Sequence, residues 1–336
     1  MKFWCKSGGW ASRKAIRTLA GMTPADVRSV AVIRHAAMGD LVQVRPFLIE
    51  TRRYFPNAGI TLSLCSNYVR GAPDELADRI HVVYGSDRKD VAVSAQLRRA
   101  RELGYHDLVF DLAATPRSFY LCLLTRAKLK IGFPYKAIQG RLFYDATVPR
   151  SDLRYETENM LDMLALLGHR WQYPPVFNMP GEPVVRDRPF IIYFPSASTP
   201  VKCWPHGHFA ELITGMAAQY PDYEHIVLEG IAAWESVADI MDKTQHLANV
   251  TALKLDDLDG TVALVKGASL VVANDTGIRN FAMACNVPTV GIFFVTPVFR
   301  YWPRYGHHDV VFTPDGGVPD VDSVFAAARA MLAVRD

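Results

Sequence analysis

The stretch that most constrains the fold is 269–294, which reads as a strand, a tight turn, a helix and a second strand. Both strands are short apolar runs of the kind that form buried parallel strands. The turn between them, Asn274-Asp275-Thr276-Gly277, has residue types that cap helices and make tight turns. Such a unit places a helix N-terminus at the carboxyl end of a parallel strand, where N–H groups and the helix dipole favour a phosphate. The residues alone leave open a second interpretation, in which Asp275 and Thr276 only cap the helix.

The remaining sequence also alternates strands with helices, which predicts parallel, doubly wound sheets of the α/β class. Proline is frequent in 172–189, which is typical of a linker. We therefore predict two Rossmann-like domains facing each other across a cleft. The predicted strands are 29–34, 60–65, 80–84, 107–111, 130–133, 190–194, 224–228, 269–273 and 289–294. The predicted helices are 41–54, 93–103, 117–126, 156–167, 208–219, 233–244, 258–267, 278–285 and 322–334.

The predicted organisation has four parts: a basic extension at 1–28, a first domain at 29–175, a linker at 176–188 and a second domain at 189–336. The extension carries basic residues beside Trp4 and Trp10, a combination that suits a membrane interface. Its polar and apolar positions do not separate cleanly on a helical wheel. A solvated extension and a membrane anchor therefore both remain open.

Composition excludes several classes of protein. The chain has 336 residues, of which half are hydrophobic, so an ordered protein of about two domains is expected. A net charge of +3 is too small for a nucleic-acid-binding surface, and no nucleic-acid partner is expected. Five scattered cysteines favour a reducing compartment. With no apolar run long enough to span a membrane and no secretory h-region, we expect a cytoplasmic location.

The sequence lacks several motifs that would define a site. It has no G-x-G-x-x-G after a strand, no Walker A loop, no G-x-S-x-G and no H-E-x-x-H. Two D-x-D triplets are present, a motif that can hold a divalent ion on a sugar diphosphate. They are Asp257-Leu258-Asp259 and Asp320-Val321-Asp322. Both precede predicted helices, so capping explains them better, and no metal site is predicted.

Four segments, in order, resemble glycosyltransferase family 9, the lipopolysaccharide heptosyltransferases. The first segment resembles the family's first strand and the Gly-Asp turn that follows it. The second resembles a strand of the first domain that leads into a helix with an Arg-Ser pair. The third resembles the lysine-containing loop that opens the second domain, and the fourth the "nDTG" signature. The segments are VIRHAAMGDLVQVRPFL, DLVFDLAATPRSFYLCLLTRAKLKIGF, FPSASTPVKCWPHGHFAELI and VVANDTGIRNFAMACNVPTVGIF.

The resemblance implies a GT-B fold and an inverting, metal-independent transfer from a nucleotide-diphosphate sugar, typically ADP-heptose. The first domain would bind the acceptor, and the second the donor. No cofactor is implied beyond the nucleotide sugar. The expected product is a heptosylated lipopolysaccharide core or related glycan, made in the cytoplasm or in peripheral contact with the inner membrane. Two alternatives keep the fold: a protein O-heptosyltransferase, and a degenerate member that binds nucleotide sugar without turnover.

The resemblance also implies roles for residues. Asp40 matches the catalytic base that would accept the proton of the acceptor hydroxyl, although a helix N-cap is its structural alternative. Lys202 matches the lysine that contacts the donor diphosphate. Ser198 and Thr199, in the same loop, offer hydroxyl groups to phosphate oxygens. Glu235 is a candidate for the ribose hydroxyls, with a solvent-facing helix glutamate as the alternative.

The signature turn completes the predicted donor site. Gly277 lets the backbone approach the diphosphate, and Thr276 donates to it. A carboxylate beside a diphosphate repels it, so Asp275 is expected to orient the turn or accept from a sugar hydroxyl. The sequence departs from the signature at Ile278 and Asn280, which replace a proline and a histidine. Asn280 still donates a hydrogen bond but carries no charge, so donor identity stays open.

Overall fold

The computed structural model describes residues 9–88, 90–134, 137–254 and 257–333, with the side chains of 137–139 also left aside. The chain divides into two compact units, Met1–Phe177 and Asn178–Asp336. The division falls inside the proline-rich stretch that the sequence marks as a linker. The first eight residues of the predicted basic extension lie outside the described residues.

The first unit is built on a seven-stranded sheet with the order β1-β7-β6-β5-β2-β3-β4. All neighbouring strands are parallel except β1 and β7, which pair antiparallel. The strands are β1 Trp10–Ala11, β2 Ser29–Ile33, β3 Gly59–Cys65, β4 Arg79–Val83, β5 Tyr105–Asp111, β6 Arg126–Gly132 and β7 Ala146–Thr147. The helices are α1 Arg13–Ala20, α2 Met38–Leu41, α3 Arg45–Tyr54, α4 Val93–Arg101, α5 Pro116–Leu124, α6 Ala137–Phe143 and α7 Glu156–Ala165.

Crossover handedness decides which face of this sheet each helix covers. The crossovers through α4, α5 and α6 all step across the sheet in the same direction, from β4 towards β7. Because parallel crossovers are right-handed, these three helices lie on one face. The β2-to-β3 crossover steps the other way, so α3 lies on the opposite face, where it packs against α7. The core between these layers is aliphatic and aromatic, with Phe47 and Phe110 in edge-to-face contact at 5.1 Å.

The second unit has a six-stranded, wholly parallel sheet with the order β10-β9-β8-β11-β12-β13. The strands are β8 Phe190–Phe194, β9 Glu224–Glu229, β10 Val250–Lys254, β11 Leu270–Asn274, β12 Thr289–Ile292 and β13 His308–Val311. The helices are α8 His206–Gln219, α9 Ala238–Thr244, α10 Leu258–Gly267, α11 Gly277–Ala284, α12 Val298–Tyr301 and α13 Val321–Ala333. Strand β8 is buried along its whole length, as a central parallel strand should be.

The predicted α/β class with parallel sheets is confirmed, and most predicted elements appear within a few residues of their expected ends. Two corrections concern helices. The predicted helix 233–244 is a 3-10 turn, Ala233–Glu235, followed by the separate helix α9. The predicted helix 41–54 is interrupted by a 3-10 turn at Val42–Val44, before Pro46, whose ring cannot sit inside a regular helix without losing a hydrogen bond.

Several short elements were not predicted: β1, α1, α6, β7, β10, α12 and β13. The edge strand β10 shows why such elements are missed. Only Val250 among its residues is buried, so the strand lacks the regular alternation from which a strand is predicted. Within the described part of the chain, no helix combines the length and apolarity needed to cross a bilayer.

Candidate functional site

The first candidate site lies at the point of the second sheet where the strand order reverses. Strand β8 has β9 on one side and β11 on the other, although β11 follows it by three strands in sequence. The loops after β8 and β11 therefore leave in different directions and open a crevice at the carboxyl ends of the two strands, the usual ligand position in a doubly wound sheet. The loop after β8 carries Lys202, and the turn after β11 carries Asp275.

Lys202 and Asp275 are joined in this crevice. The Lys202 ammonium donates to Asp275 Oδ2 at 2.9 Å, and Thr296 Oγ1 donates to the same oxygen at 2.8 Å. The side chains of Lys202 and Asp275 are 22% and 12% exposed, so the pair is screened from solvent but still reachable. Asp275 thus holds the ammonium in place, and its own charge is partly compensated by both donors.

Asn274 fixes the two loops to each other. Its side-chain amide donates to the carbonyl of Pro195 at 2.6 Å, and its Oδ1 accepts from the backbone N–H of Trp204 at 3.0 Å. Trp204 is fully buried and donates its indole N–H to the carbonyl of Pro319 at 2.8 Å. The loop that presents Lys202 is therefore fastened on both sides of the lysine.

Helix α11 begins directly behind the pair. Its N-cap residue is Thr276, whose side chain makes no capping hydrogen bond, and the side chain of Asp275 binds Lys202 and Thr296. Thr276, Gly277 and Ile278 are partly exposed, while Asn280 lies one turn further along and is only 4% exposed. The first N–H groups and the positive end of the helix dipole thus lie beside Lys202.

A buried arginine of α11 anchors this helix in the protein interior. Arg279 is fully buried, stacks over the ring of Phe293 at 4.8 Å and donates to the carbonyl of Tyr301 at 2.9 Å. A Cβ at position 291 would come within 2.2 Å of Arg279 Nε, so Gly291 of β12 makes room for the guanidinium. The arginine therefore links the first turn of α11 to the segment that follows β12.

The remaining predicted donor residues lie in the neighbouring loops. Ser198 and Thr199 are exposed. The carboxylate of Glu235 folds back to accept from the N–H of Ala232 at 2.8 Å, and its carbonyl accepts from the buried Ser196 at 3.4 Å. Glu235 is therefore neither on a regular helix nor fully solvated, because it closes the turn that follows β9 and ties that turn to the loop after β8.

Asp40 lies in the first unit, in the short helix that follows β2. The N-cap of α2 is Ala37, and Asp40 is its third residue, so the N-cap alternative for Asp40 is wrong. Its carbonyl accepts from the Arg34 guanidinium at 3.4 Å. Asp40 is half-buried and lies in the segment that follows the carboxyl end of β2.

An arginine–glutamate cluster anchors this edge. Arg34, at the end of β2, donates to Glu156 Oε1 at 3.1 Å and to the carbonyl of Leu112, just after β5, at 2.8 Å. Arg150 donates to the same carboxylate through Nε at 3.2 Å. Arg34 is 3% exposed and Glu156 fully buried. Glu156, the first residue of α7, therefore binds Arg34, and Arg34 connects the ends of β2 and β5 on the two sides of the strand-order reversal.

A chain of buried histidines lies beside this edge. His35 Nε2 is 3.3 Å from Ser63 Oγ, which lies 2.9 Å from His81 Nδ1, and His81 Nε2 is 2.8 Å from the carbonyl of Arg99. Burial, together with the nearby Arg117, lowers the pKa of His35 to about 3. The imidazole is therefore neutral at physiological pH.

Both D-x-D triplets act as helix caps, as the sequence predicts. Asp257 Oδ1 accepts from the N–H of Gly260 at 2.6 Å, and Asp320 Oδ1 accepts from that of Ser323 at 2.7 Å. Among the residues that the structure describes, no three His, Cys, Asp or Glu side chains cluster as metal ligands.

The sequence did not predict the roles of four residues in these sites: Arg34, Glu156, Thr296 and Asn274, the last of which was expected only as part of the turn. A weak signal was present for two of them, since Arg34 and Asn274 each end an apolar strand with a polar residue. Glu156 and Thr296 are identified only by their partners in space.

Comparisons with known proteins agree with this architecture. Residues 96–317 match the family model for glycosyltransferase family 9 (heptosyltransferase). A segment of 113 residues is 32% identical to lipopolysaccharide heptosyltransferase 2 of Escherichia coli K12, covering 32% of this chain and 31% of that protein. The alignment thus spans about a third of the curated relative.

Solved structures show the same fold at low identity. The heptosyltransferase WaaC of E. coli, with ADP-2-deoxy-2-fluoro heptose, superposes with a TM-score of 0.70 at 19% identity, over 91% of this chain and 99% of that one. A family 9 glycosyltransferase from Veillonella parvula gives 0.72 at 19% identity, over 93% and 99%. The two Rossmann-like units therefore have the GT-B fold. The chain belongs to glycosyltransferase family 9.

Proposed function

We propose that this protein is an inverting, metal-independent glycosyltransferase that moves a heptose-like sugar from an ADP-activated donor to a lipopolysaccharide core or related glycan in the cytoplasm. The observation that carries the proposal is the Lys202–Asp275 pair at the strand-order reversal of the second unit, beside the N-terminus of α11. Family membership and the ADP-sugar in the related WaaC structure support the choice of donor.

The second unit would bind the donor through its diphosphate. An ammonium group has three N–H donors, and Asp275 uses one of those on Lys202, which leaves donors for phosphate oxygens. The first N–H groups of α11 add a second source of positive potential. When the sugar–phosphate bond breaks, negative charge grows on the leaving diphosphate, and these fixed donors stabilise it.

The first unit would supply the base. In an inverting displacement, the acceptor hydroxyl oxygen attacks the anomeric carbon from the side opposite the diphosphate. The new C–O bond forms as the bond to the diphosphate oxygen breaks, and the hydroxyl proton passes to a base. We assign that role to Asp40. Arg34, which is paired with Glu156, donates to the Asp40 carbonyl and so helps to position this residue.

Lys202→Ala tests the donor site. We expect ADP affinity to fall by about 1.5–3 kcal/mol, the range for hydrogen bonds to charged groups, as measured by calorimetry. The loss should lie near the upper end, because the variant also leaves Asp275 beside the diphosphate with only the Thr296 hydroxyl as a side-chain donor.

Two further variants make this test specific. Lys202→Ala combined with Asp275→Asn should recover part of the lost affinity, since the repelling charge is then absent. The exposed Lys243 of α9 provides the matched control, and Lys243→Ala should bind ADP normally. Unchanged affinity in Lys202→Ala would remove this crevice from the donor site.

A further inference from the structure

The turn that follows β9 presents a tryptophan to solvent. Trp234 is 47% exposed, and Ile231, three residues before it, is 69% exposed. The other four tryptophans that the structure describes are buried or half-buried: Trp10, Trp171, Trp204 and Trp302. The turn lies at the carboxyl edge of the sheet, where a doubly wound fold binds its ligands. Exposed apolar side chains at such an edge indicate a contact surface.

The turn is held in one shape by its own hydrogen bonds. The Glu235 carboxylate accepts from the N–H of Ala232 at 2.8 Å. A Cβ on Gly230 would come within 2.5 Å of the same carboxylate, so the glycine allows the turn to close. The Ser196 hydroxyl donates to the Glu235 carbonyl at 3.4 Å, which fixes the turn to the loop after β8. Trp234 is therefore presented by a preorganised segment, and a ligand that stacks on it pays little to order the backbone.

The turn lies next to the candidate diphosphate site of the second unit. Strand β9 pairs with β8 in parallel, so the loops after both strands leave from the same edge of the sheet. The loop that carries Ser196 carries Lys202 further along. In doubly wound sheets that bind dinucleotides, the phosphates lie at the end of the first strand and the ribose at the end of its neighbour. A diphosphate at Lys202 would therefore direct the ribose and base towards the turn after β9.

We propose that Trp234 is the platform on which the base of the nucleotide donor stacks. The inference rests on the proposed function, because it takes the diphosphate to be bound at Lys202. An aromatic ring stacks on the π face of any base, and a purine offers a larger face than a pyrimidine. Trp234 thus strengthens the binding of purine nucleotides more than that of pyrimidine nucleotides, and it contributes nothing to a ligand without a base.

Calorimetry with ADP, UDP and inorganic pyrophosphate tests the platform. Trp234→Ala should weaken ADP binding about 5- to 140-fold, which corresponds to the roughly 1–3 kcal/mol of base–aromatic stacking. The loss should be smaller for UDP and absent for pyrophosphate. Lys202→Ala should instead weaken the binding of all three ligands. Trp234→Phe keeps an aromatic ring, so most of the ADP affinity should remain.

Two controls make the assignment specific. ADP should change the tryptophan fluorescence of the parent and leave that of Trp234→Phe nearly unchanged. Val185, an apolar residue before the amino end of β8, is 89% exposed, and Val185→Ala should bind ADP like the parent. Because the Trp234 side chain is about half in solvent, the melting temperature of its variants should stay close to that of the parent.

The outcomes separate this inference from the proposed function. Normal ADP affinity in Trp234→Ala would overturn the platform alone, as would an equal loss of affinity for ADP and pyrophosphate in that variant. Absence of ADP binding in the parent would overturn the proposed function and the platform together.

Discussion

At the scale of single residues, the candidate donor site depends on a pair of residues that are distant in sequence. Lys202 and Asp275 are 73 positions apart, and each alone looks like a surface lysine or a helix cap. The sequence predicted both as donor-site residues and expected Asp275 to orient its turn. It did not predict that Asp275 would hold Lys202, because side-chain pairing across two loops depends on the sheet order that brings those loops together.

Buried histidines give the molecule a predictable response to acid. Burial, with Arg279 nearby, lowers the pKa of His308 from 6.5 to about 3, and His35 behaves similarly. Below pH 6.5 the unfolded chain therefore binds protons that the folded chain excludes, so stability is lost as the pH falls towards 3. At pH 5.5 each histidine should cost about 1.4 kcal/mol relative to neutral pH, measurable by urea denaturation.

Substitution identifies the histidine responsible. His308→Gln should reduce the loss of stability between pH 7.5 and 5.5 by about 1.4 kcal/mol, whatever its own cost at neutral pH. His246→Gln, at an exposed position, should leave the loss unchanged. An identical pH dependence in the parent and His308→Gln would show that folding does not lower the pKa of His308.

At the scale of elements, α7 is joined to the sheet of the first unit through Arg34. Glu156 of α7 binds Arg34 at the end of β2, and Arg34 also binds the carbonyl of Leu112 after β5. Glu156→Gln should remove the charge that compensates Arg34, which is 3% exposed. Loss of one partner from a buried pair typically costs about 3–5 kcal/mol, so a clear fall in melting temperature is expected. Glu158→Gln, two residues along α7 and facing the more exposed Arg154, is the control and should cost under about 1 kcal/mol. Equal melting temperatures in Glu156→Gln and Glu158→Gln would mean that the Glu156–Arg34 ion pair does not stabilise this edge of the sheet.

The sequence identified long apolar strands and amphipathic helices well, because each carries its own periodicity. Strand β8 appears with the predicted ends, and α10 does as well. The sequence did not predict short elements that form through pairing with a neighbouring strand, such as the edge strand β10. It also merged the 3-10 turn at Ala233–Glu235 with α9, because Glu235 closes that turn through a contact that composition does not reveal.

At the scale of the whole molecule, both units place their candidate residues at a reversal of strand order: Asp40 beside β2 and β5, and Lys202 with Asp275 beside β8 and β11. The fold class and this edge of each sheet were predictable from the alternation of strands and helices. The antiparallel pairing of β1 with β7 was not, because two residues carry too little pattern.

The proposed chemistry makes a direct prediction about metal. Lys202 and the N-terminus of α11 would neutralise the leaving diphosphate, and the D-x-D aspartates Asp257 and Asp320 are engaged as caps. Transfer should therefore proceed at an unchanged rate in EDTA. Loss of activity that Mg²⁺ or Mn²⁺ restores would contradict the metal-independent mechanism.

Turnover of ADP-heptose by the parent and by Asp40→Asn shows whether the protein catalyses sugar transfer with Asp40 as the base. The amide is similar in shape to the carboxylate but accepts a proton poorly. We expect turnover in the parent and a fall of about 10²–10⁴-fold in the variant, with donor affinity and melting temperature nearly unchanged. Equal turnover in the two proteins would contradict the role of Asp40. Absence of turnover in the parent, with a broad panel of acceptors, would contradict the claim that it is an active transferase.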